Sequence, residues 1–270
     1  MNSVTMAKPQ VEFHSEVHVH SVESEYQNGM QEICVLLPGD YSDDRKYRVL
    51  YVLPVEAGFE KVYGYGLGVL EEMDAQNKYG IIIVQMGFEK IPWFGDHAGD
   101  PKIRQASYVK EFVVPFIEKR YSAVNDPAGR MLLGFSKSGW GAFSLIFTYP
   151  ECFGYAAAWD APMLLDDLHF AMGQVYGTRE QLDLYRPGLL IPRQKRFFQK
   201  KCRLVLAGET AWGKSIPAPG GGSHTEEAHE LLEKEGVKHV FIDNLNVPHV
   251  WDKSWLAPAL GALVKLDGKD

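Results

Sequence analysis

The sequence predicts an α/β fold: a mostly parallel central sheet with helices on both faces. Three observations carry that reading. The runs YRVLYVLP (47–54), GIIIVQMG (80–87) and RMLLGF (130–135) are apolar nearly throughout, as strands covered on both faces must be. Segments with helical spacing of apolar residues separate these runs. Two strands with little helix between them lead the chain. The resulting order is β-β-β-α-β-α-β-α-β-(insertion)-β-α-β-α, which implies parallel strands and a leading hairpin at one edge.

Each element follows from its own pattern. Residues 11–20 (VEFHSEVHVH) alternate apolar and polar, as a half-buried strand does. Residues 30–37 (MQEICVLL) form a second strand that Pro38-Gly39 ends, and 47–54 a third. Leu67, Val69, Leu70 and Met73 predict a helix over 65–77, followed by the strand at 80–87. The segment 88–103 is a long loop rich in Trp, Phe, Gly, His and Asp; loops of this length are often functional. A helix over 105–120 carries Pro115 inside it, which predicts a kink. Strand 130–135, helix 136–149 and strand 154–159 come next. The less regular stretch 161–200 reads as a cap-like insertion after the sixth strand. Strand 202–208, loop 213–222, helix 224–235, strand 238–243 and helix 253–266 complete the chain. The expectation is one domain over residues 1–270.

Composition narrows the function classes. Lys and Arg number 28 against 35 Asp and Glu, a net charge of −7. An acidic surface repels phosphate backbones, so no nucleic-acid partner is expected. Cys34, Cys152 and Cys202 stand alone in sequence, which argues against a disulfide framework or a thiolate zinc site. No apolar run follows basic residues at the N-terminus, and no stretch reaches the roughly 20 apolar residues of a membrane span. A soluble cytoplasmic protein without a membrane partner is the expectation.

The chemistry concentrates at RMLLGFSKSGWGAF (130–143). A buried strand ends at Gly134 and a helix starts after Ser136, so Gly134-Phe135-Ser136-Lys137-Ser138 approaches the nucleophile elbow G-x-S-x-G. Such a turn needs small residues on either side of the serine. The position two residues on is Ser138 rather than glycine, still small. Reading Ser138 as the nucleophile would put bulky Trp140 two residues beyond it. The helix N-terminus after Ser136 offers amides to a developing oxyanion, first that of Lys137. A serine nucleophile needs a base. His249, in NVPHVWDKSW, follows the last strand and precedes the last helix, where it can reach the elbow. His224 and His229 read as solvated residues of a surface helix, and His239 as structural. The row His14, His18 and His20 reads as a solvated strand face rather than a metal site, since no cluster of ligand spacing accompanies it.

The segments YRVLYVLP, GFSKSGWGAF (134–143), TYPECFGYAAAW (148–159) and HVWDKSW (249–255) resemble an esterase branch of the α/β-hydrolase fold. That branch includes esterase D-like, feruloyl-esterase-like and enterochelin-esterase-like proteins, and the resemblance spans roughly residues 30–266. It implies Ser136 as nucleophile and His249 as base. In much of the family the acid follows the strand after the insertion in a G-x-x-D pattern; here Ala211 occupies the aspartate's place. Asp160, at the C-terminal end of GYAAAW, is the first candidate for the acid, and Glu209 is the alternative. The family's His-Gly pair after the third strand is replaced by Pro54-Val55, leaving Glu56 N–H as the second oxyanion donor beside Lys137 N–H. Trp93 and His97 on the loop, Tyr108 on the helix after it and His169 on the insertion are candidate substrate-binding residues at the rim of the cleft. Met163, Leu164, Leu165, Phe170 and Met172 hint at an acyl or aryl pocket.

Together these features predict a serine hydrolase that cleaves small-molecule carboxylic esters through an acyl-enzyme, without cofactor or metal. An acyltransferase or amidase with the same triad stays open, as does a non-catalytic binding module on a hydrolase scaffold.

Overall fold

The strands whose sequence is apolar on both faces form the middle of one sheet. The computed structural model describes residues 16–58, 62–208, 210, 213–243 and 247–266. Its strands are β1 (Val17–Val22), β2 (Gln31–Leu36), β3 (Val49–Val52), β4 (Ile82–Met86), β5 (Arg130–Phe135), β6 (Tyr155–Trp159), β7 (Leu204–Ala207) and β8 (His239–Ile242). They lie in the order β1-β2-β4-β3-β5-β6-β7-β8. The β1–β2 and β2–β4 pairs are antiparallel and all others parallel. This is the mostly parallel α/β sheet with a leading hairpin that the sequence predicts. Of the row at the first strand, His14 lies outside the described residues; His18 and His20 share the Tyr121 hydroxyl, at 3.2 and 2.6 Å.

Side chains alternate across each strand, and the core divides accordingly. Val49 and Tyr51 of β3 join one apolar cluster with Trp140, Phe143 and Leu145 of the helix Ser136–Thr148. Leu50 and Val52 face the other way, packing with Leu67 and Leu70 of the helix Gly66–Glu72 and with Trp255, Leu256 and Leu260 of the helix Lys253–Val264. Both faces of the sheet are thus covered.

Two helices differ from their prediction. The segment read as one helix over 65–77 is two, Gly66–Glu72 and Ala75–Tyr79, because Asp74 adopts φ +53° between them. Over 105–120 the helix contains a π-helical stretch, Tyr108–Val113. Val114 N–H donates five residues back to Val109, and Pro115, which has no N–H to offer, follows at once. The irregularity expected from Pro115 takes the form of a widened turn.

The stretch after β6 that the sequence reads as an insertion carries the short helices Gly173–Tyr176, Arg179–Leu182 and Pro187–Gln194. It is fastened to the 88–103 loop. Tyr176 Oη donates to Trp93 O (2.5 Å), Trp93 Nε1 to Phe170 O (3.0 Å) and Gln181 Nε2 to Asp96 O (2.7 Å). Met163, Leu165 and Met172, read as pocket-lining residues, are buried in the core instead. The insertion must bury its own apolar side chains to hold its short helices in place, which removes these three from contact with a ligand.

Candidate active site

The elbow forms where β5 ends. Ser136 begins the following helix with φ +53°, a strained conformation for a residue with a Cβ. The turn is so tight that a Cβ on Gly134 would lie 2.2 Å from the Ser138 carbonyl oxygen. Ser138 is fully buried. Its hydroxyl accepts from Phe135 N–H (3.0 Å) and donates to Phe135 O (2.9 Å), so it ties the turn together. Serine at this position therefore does work that glycine could not, and its hydroxyl is not free to attack anything.

His249, Asp160 and Ser136 meet at the C-terminal edge of the sheet. Ser136 Oγ lies 3.1 Å from His249 Nε2, and His249 Nδ1 hydrogen-bonds Asp160 Oδ2. With Nδ1–H donating to the carboxylate, Nε2 presents its lone pair to the serine. The imidazole is walled by rings: Phe135 at 5.1 Å and Tyr63 at 5.8 Å, both edge-on, and Trp159 at 6.2 Å. Tyr63 is placed by its own carbonyl, which accepts from Trp251 N–H (2.8 Å) just beyond His249.

Asp160 follows the last residue of β6 with φ +45°, and its own N–H donates to Gly208 O (3.0 Å). Its side chain is shut away from solvent. A buried carboxylate needs partners, and Thr210 supplies two: its N–H donates to Oδ1 (3.0 Å) and its Oγ1 to Oδ2 (2.5 Å). Thr210, three residues beyond β7, thus satisfies a carboxylate at the end of the neighbouring strand β6. Sequence reasoning missed Thr210. The signal available was Gly208-Glu209-Thr210 beside an isolated aspartate at the end of β6. Glu209, the alternative acid, lies outside the described residues.

Of the two predicted oxyanion donors, Lys137 N–H belongs to the first turn after Ser136. Glu56 is on the segment leaving β3, where Leu53 N–H donates to Leu133 O (2.9 Å) and carries the chain alongside the end of β5.

The predicted substrate-binding residues fare differently. Trp93 is fully buried edge-on against Trp140 (5.7 Å), and its backbone N–H donates to Gln105 Oε1 (2.8 Å). Tyr108 is buried between Phe88 (5.5 Å) and Phe112 (5.6 Å). Both belong to the core, a correction to their reading as rim residues: the polar loop around them folds inward over Gln105 and Asp96. Asp96 accepts from Ser107 N–H (3.0 Å) and Oγ (2.5 Å) and has Arg104 at 3.6 Å. His97 Nδ1 accepts from Gly99 N–H (3.0 Å) and Asp100 N–H (2.9 Å), a turn-holding role. His169 is exposed on the insertion. His224, read as solvated, is buried, and its Nδ1 accepts from Leu164 N–H (3.1 Å).

A serine, an imidazole and a carboxylate hydrogen-bonded in series on a doubly covered, mostly parallel sheet define the serine-hydrolase class of the α/β-hydrolase fold. The chain belongs to the Putative esterase family, whose family model matches residues 24–164. It is accordingly a carboxylesterase-like enzyme, and a small-molecule ester is the substrate its family implies. Solved structures share the fold. A ferulic acid esterase is 20% identical, with a TM-score of 0.71 over 94% of this chain and 98% of its own. An S-formylglutathione hydrolase from Agrobacterium tumefaciens is 16% identical, with a TM-score of 0.74 over 96% and 98%. A fluorophosphonate-binding serine hydrolase from Staphylococcus aureus is 15% identical, with a TM-score of 0.71 over 94% and 99%. Among the described residues, no helix is long and apolar enough to cross a membrane.

Proposed function

We propose that Ser136, His249 and Asp160 perform this ester hydrolysis. His249 Nε2 takes the Ser136 proton as Oγ attacks the acyl carbon. The tetrahedral oxyanion is held by the amides of Lys137 and Glu56. His249 then protonates the leaving alcohol, and a water activated by the same imidazole releases the acyl group. Asp160 keeps the proton on Nδ1 and stabilises the imidazolium that forms at each step. The series Ser136–His249–Asp160 is the observation that carries this reading. It also disfavours a binding module, which has no use for a serine in a strained elbow facing a histidine whose tautomer is set by a buried carboxylate. We read 161–200 as a wall of the cleft within one domain, since its hydrogen bonds to the 88–103 loop make it a fixed rather than a swinging element.

Covalent labelling with a fluorophosphonate tests the assignment. One adduct mapped to Ser136 is the expected outcome, with none on a Ser136→Ala variant. Hydrolysis of a short-chain p-nitrophenyl ester should fall to background in the same variant. An adduct elsewhere, or undiminished turnover in Ser136→Ala, would sink it.

A further inference from the structure

Away from the triad, three metal-ligating side chains converge at the edge of the sheet. His229 and Glu233 are four residues apart in the helix His224–Lys234, hence on one face. His239 opens β8, the edge strand. The ligand atoms of His229, Glu233 and His239 all lie within 4.8 Å of one another. The site sits at the N-terminal end of β8, whereas Ser136 follows the C-terminal end of the parallel strand β5.

Both histidines are held. His239 Nδ1 lies 2.9 Å from Val237 O; donation there leaves Nε2 bare and directed at His229. A second ring nitrogen hydrogen-bonded to a backbone carbonyl is the usual support of a metal-ligating histidine. The His229 ring stacks on Phe241, two residues along the same face of β8, at 4.1 Å and 10°. The turn between helix and strand is fixed by Gly236 (φ +65°), with Gly236 N–H on Glu233 O (3.0 Å) and Val237 N–H on Leu232 O (2.9 Å). Nearby Lys238 is turned outward, its Nζ on Lys200 O (3.1 Å).

We propose that His229, Glu233 and His239 bind a divalent transition-metal ion of the zinc type, stapling the helix His224–Lys234 to the edge strand. Two imidazoles and one carboxylate suit zinc, copper or nickel and not magnesium or calcium, which take oxygen ligands. His229 Nδ1 and His239 Nε2 are 2.8 Å apart, joined by a hydrogen bond in the absence of an ion. Tetrahedral zinc with bonds of about 2.0–2.1 Å separates its nitrogens by about 3.3 Å. An opening of roughly half an ångström, with the His229 proton moved to Nε2, therefore admits the ion. Glu233 is exposed and swings in as the third ligand, and water fills the fourth position. The sequence alone concealed this site because its third ligand comes from a different element across a tight turn.

The test is a zinc titration of the untagged, chelator-stripped full chain, followed by calorimetry, with cobalt as a spectroscopic probe. One zinc per chain, bound in the micromolar range or tighter, is expected, with a rise in melting temperature. Cobalt should show the intense visible bands of a tetrahedral site. His229→Ala and Glu233→Gln should each weaken binding at least tenfold and abolish the thermal shift. Glu233 is exposed, so that variant keeps the fold whatever becomes of the histidine variant. The double variant His18→Gln/His20→Gln and the single variant His249→Gln should bind as wild type. Absence of saturable one-to-one binding would overturn the proposal, as would binding that survives Glu233→Gln and His229→Ala or disappears with His249→Gln.

Discussion

Under the proposed mechanism, Thr210 is the residue that holds the buried carboxylate of Asp160 in place. Its amide and hydroxyl both donate to Asp160, and His249 is the third donor. Hydrogen bonds to charged groups contribute about 1.5–3 kcal/mol each. Thr210→Val removes one without changing volume, so turnover of a p-nitrophenyl ester should fall about tenfold to a hundredfold, while Thr210→Ser stays near wild type. Asp160→Asn is the harsher change. It leaves an amide that can bond the wrong histidine tautomer, and kcat should drop by about 10⁴. Steady-state kinetics on the three variants separate the two effects. A Thr210→Val enzyme with full activity would mean that the hydroxyl only fills space.

The strand–elbow–helix unit shows how much an element can disclose in advance. Its boundaries were legible because β5, Ser136 and the helix that follows are set by local sequence: an apolar run, small residues at the turn, and a helix with no internal Gly-Pro break. That order nominates Ser136 and His249, the strand end nominates Asp160, and the structure brings the three side chains together. The core positions of Trp93 and Tyr108 were not legible in this way. Whether a polar, aromatic loop lies on the rim or folds into the core depends on Gln105 catching its backbone from the next helix, and on Asp96 of the loop accepting Ser107 N–H of that helix. His224, solvated by its sequence pattern, is buried for the same kind of reason: its partner Leu164 lies sixty residues upstream. The elbow itself makes a strong prediction. A Cβ at Gly134 has to displace the Ser138 backbone, to which it would come within 2.2 Å. Overpacking of this kind costs about 1–3 kcal/mol, occasionally more. Gly134→Ala should therefore lower the denaturation midpoint and suppress activity further than the loss of stability accounts for, as Ser136 moves off His249. Equilibrium denaturation alongside kinetics checks both, and an active, equally stable variant would contradict the geometry.

Across the whole molecule, the insertion, the helix His224–Lys234 and the catalytic edge are joined through His224. Its ring is buried, and burial lowers its pKa to about 4, with Glu227 and Asp166 opposing that shift and His169 reinforcing it. The neutral form accepts Leu164 N–H at Nδ1, and protonation would replace that acceptor with a donor. The sign follows from linkage. The unfolded chain takes up a proton near pH 6.5, the folded chain only near pH 4, so unfolding binds the proton in between. Stability from the neutral ring is complete above pH 6.5 and is lost as the pH falls from 6.5 towards 4. At pH 5 the loss amounts to about 2 kcal/mol. Leu164 is four residues from Asp160, so the loosened segment is the one that leaves the triad. His224→Gln retains an acceptor and cannot titrate in this range. Urea denaturation at pH 7.5 and pH 5 should show wild type losing about 2 kcal/mol more than the variant over that interval. Activity of the variant should also persist to lower pH. If the two proteins lose stability in parallel, carboxylates elsewhere govern acid unfolding and His224 is not the link between insertion and helix.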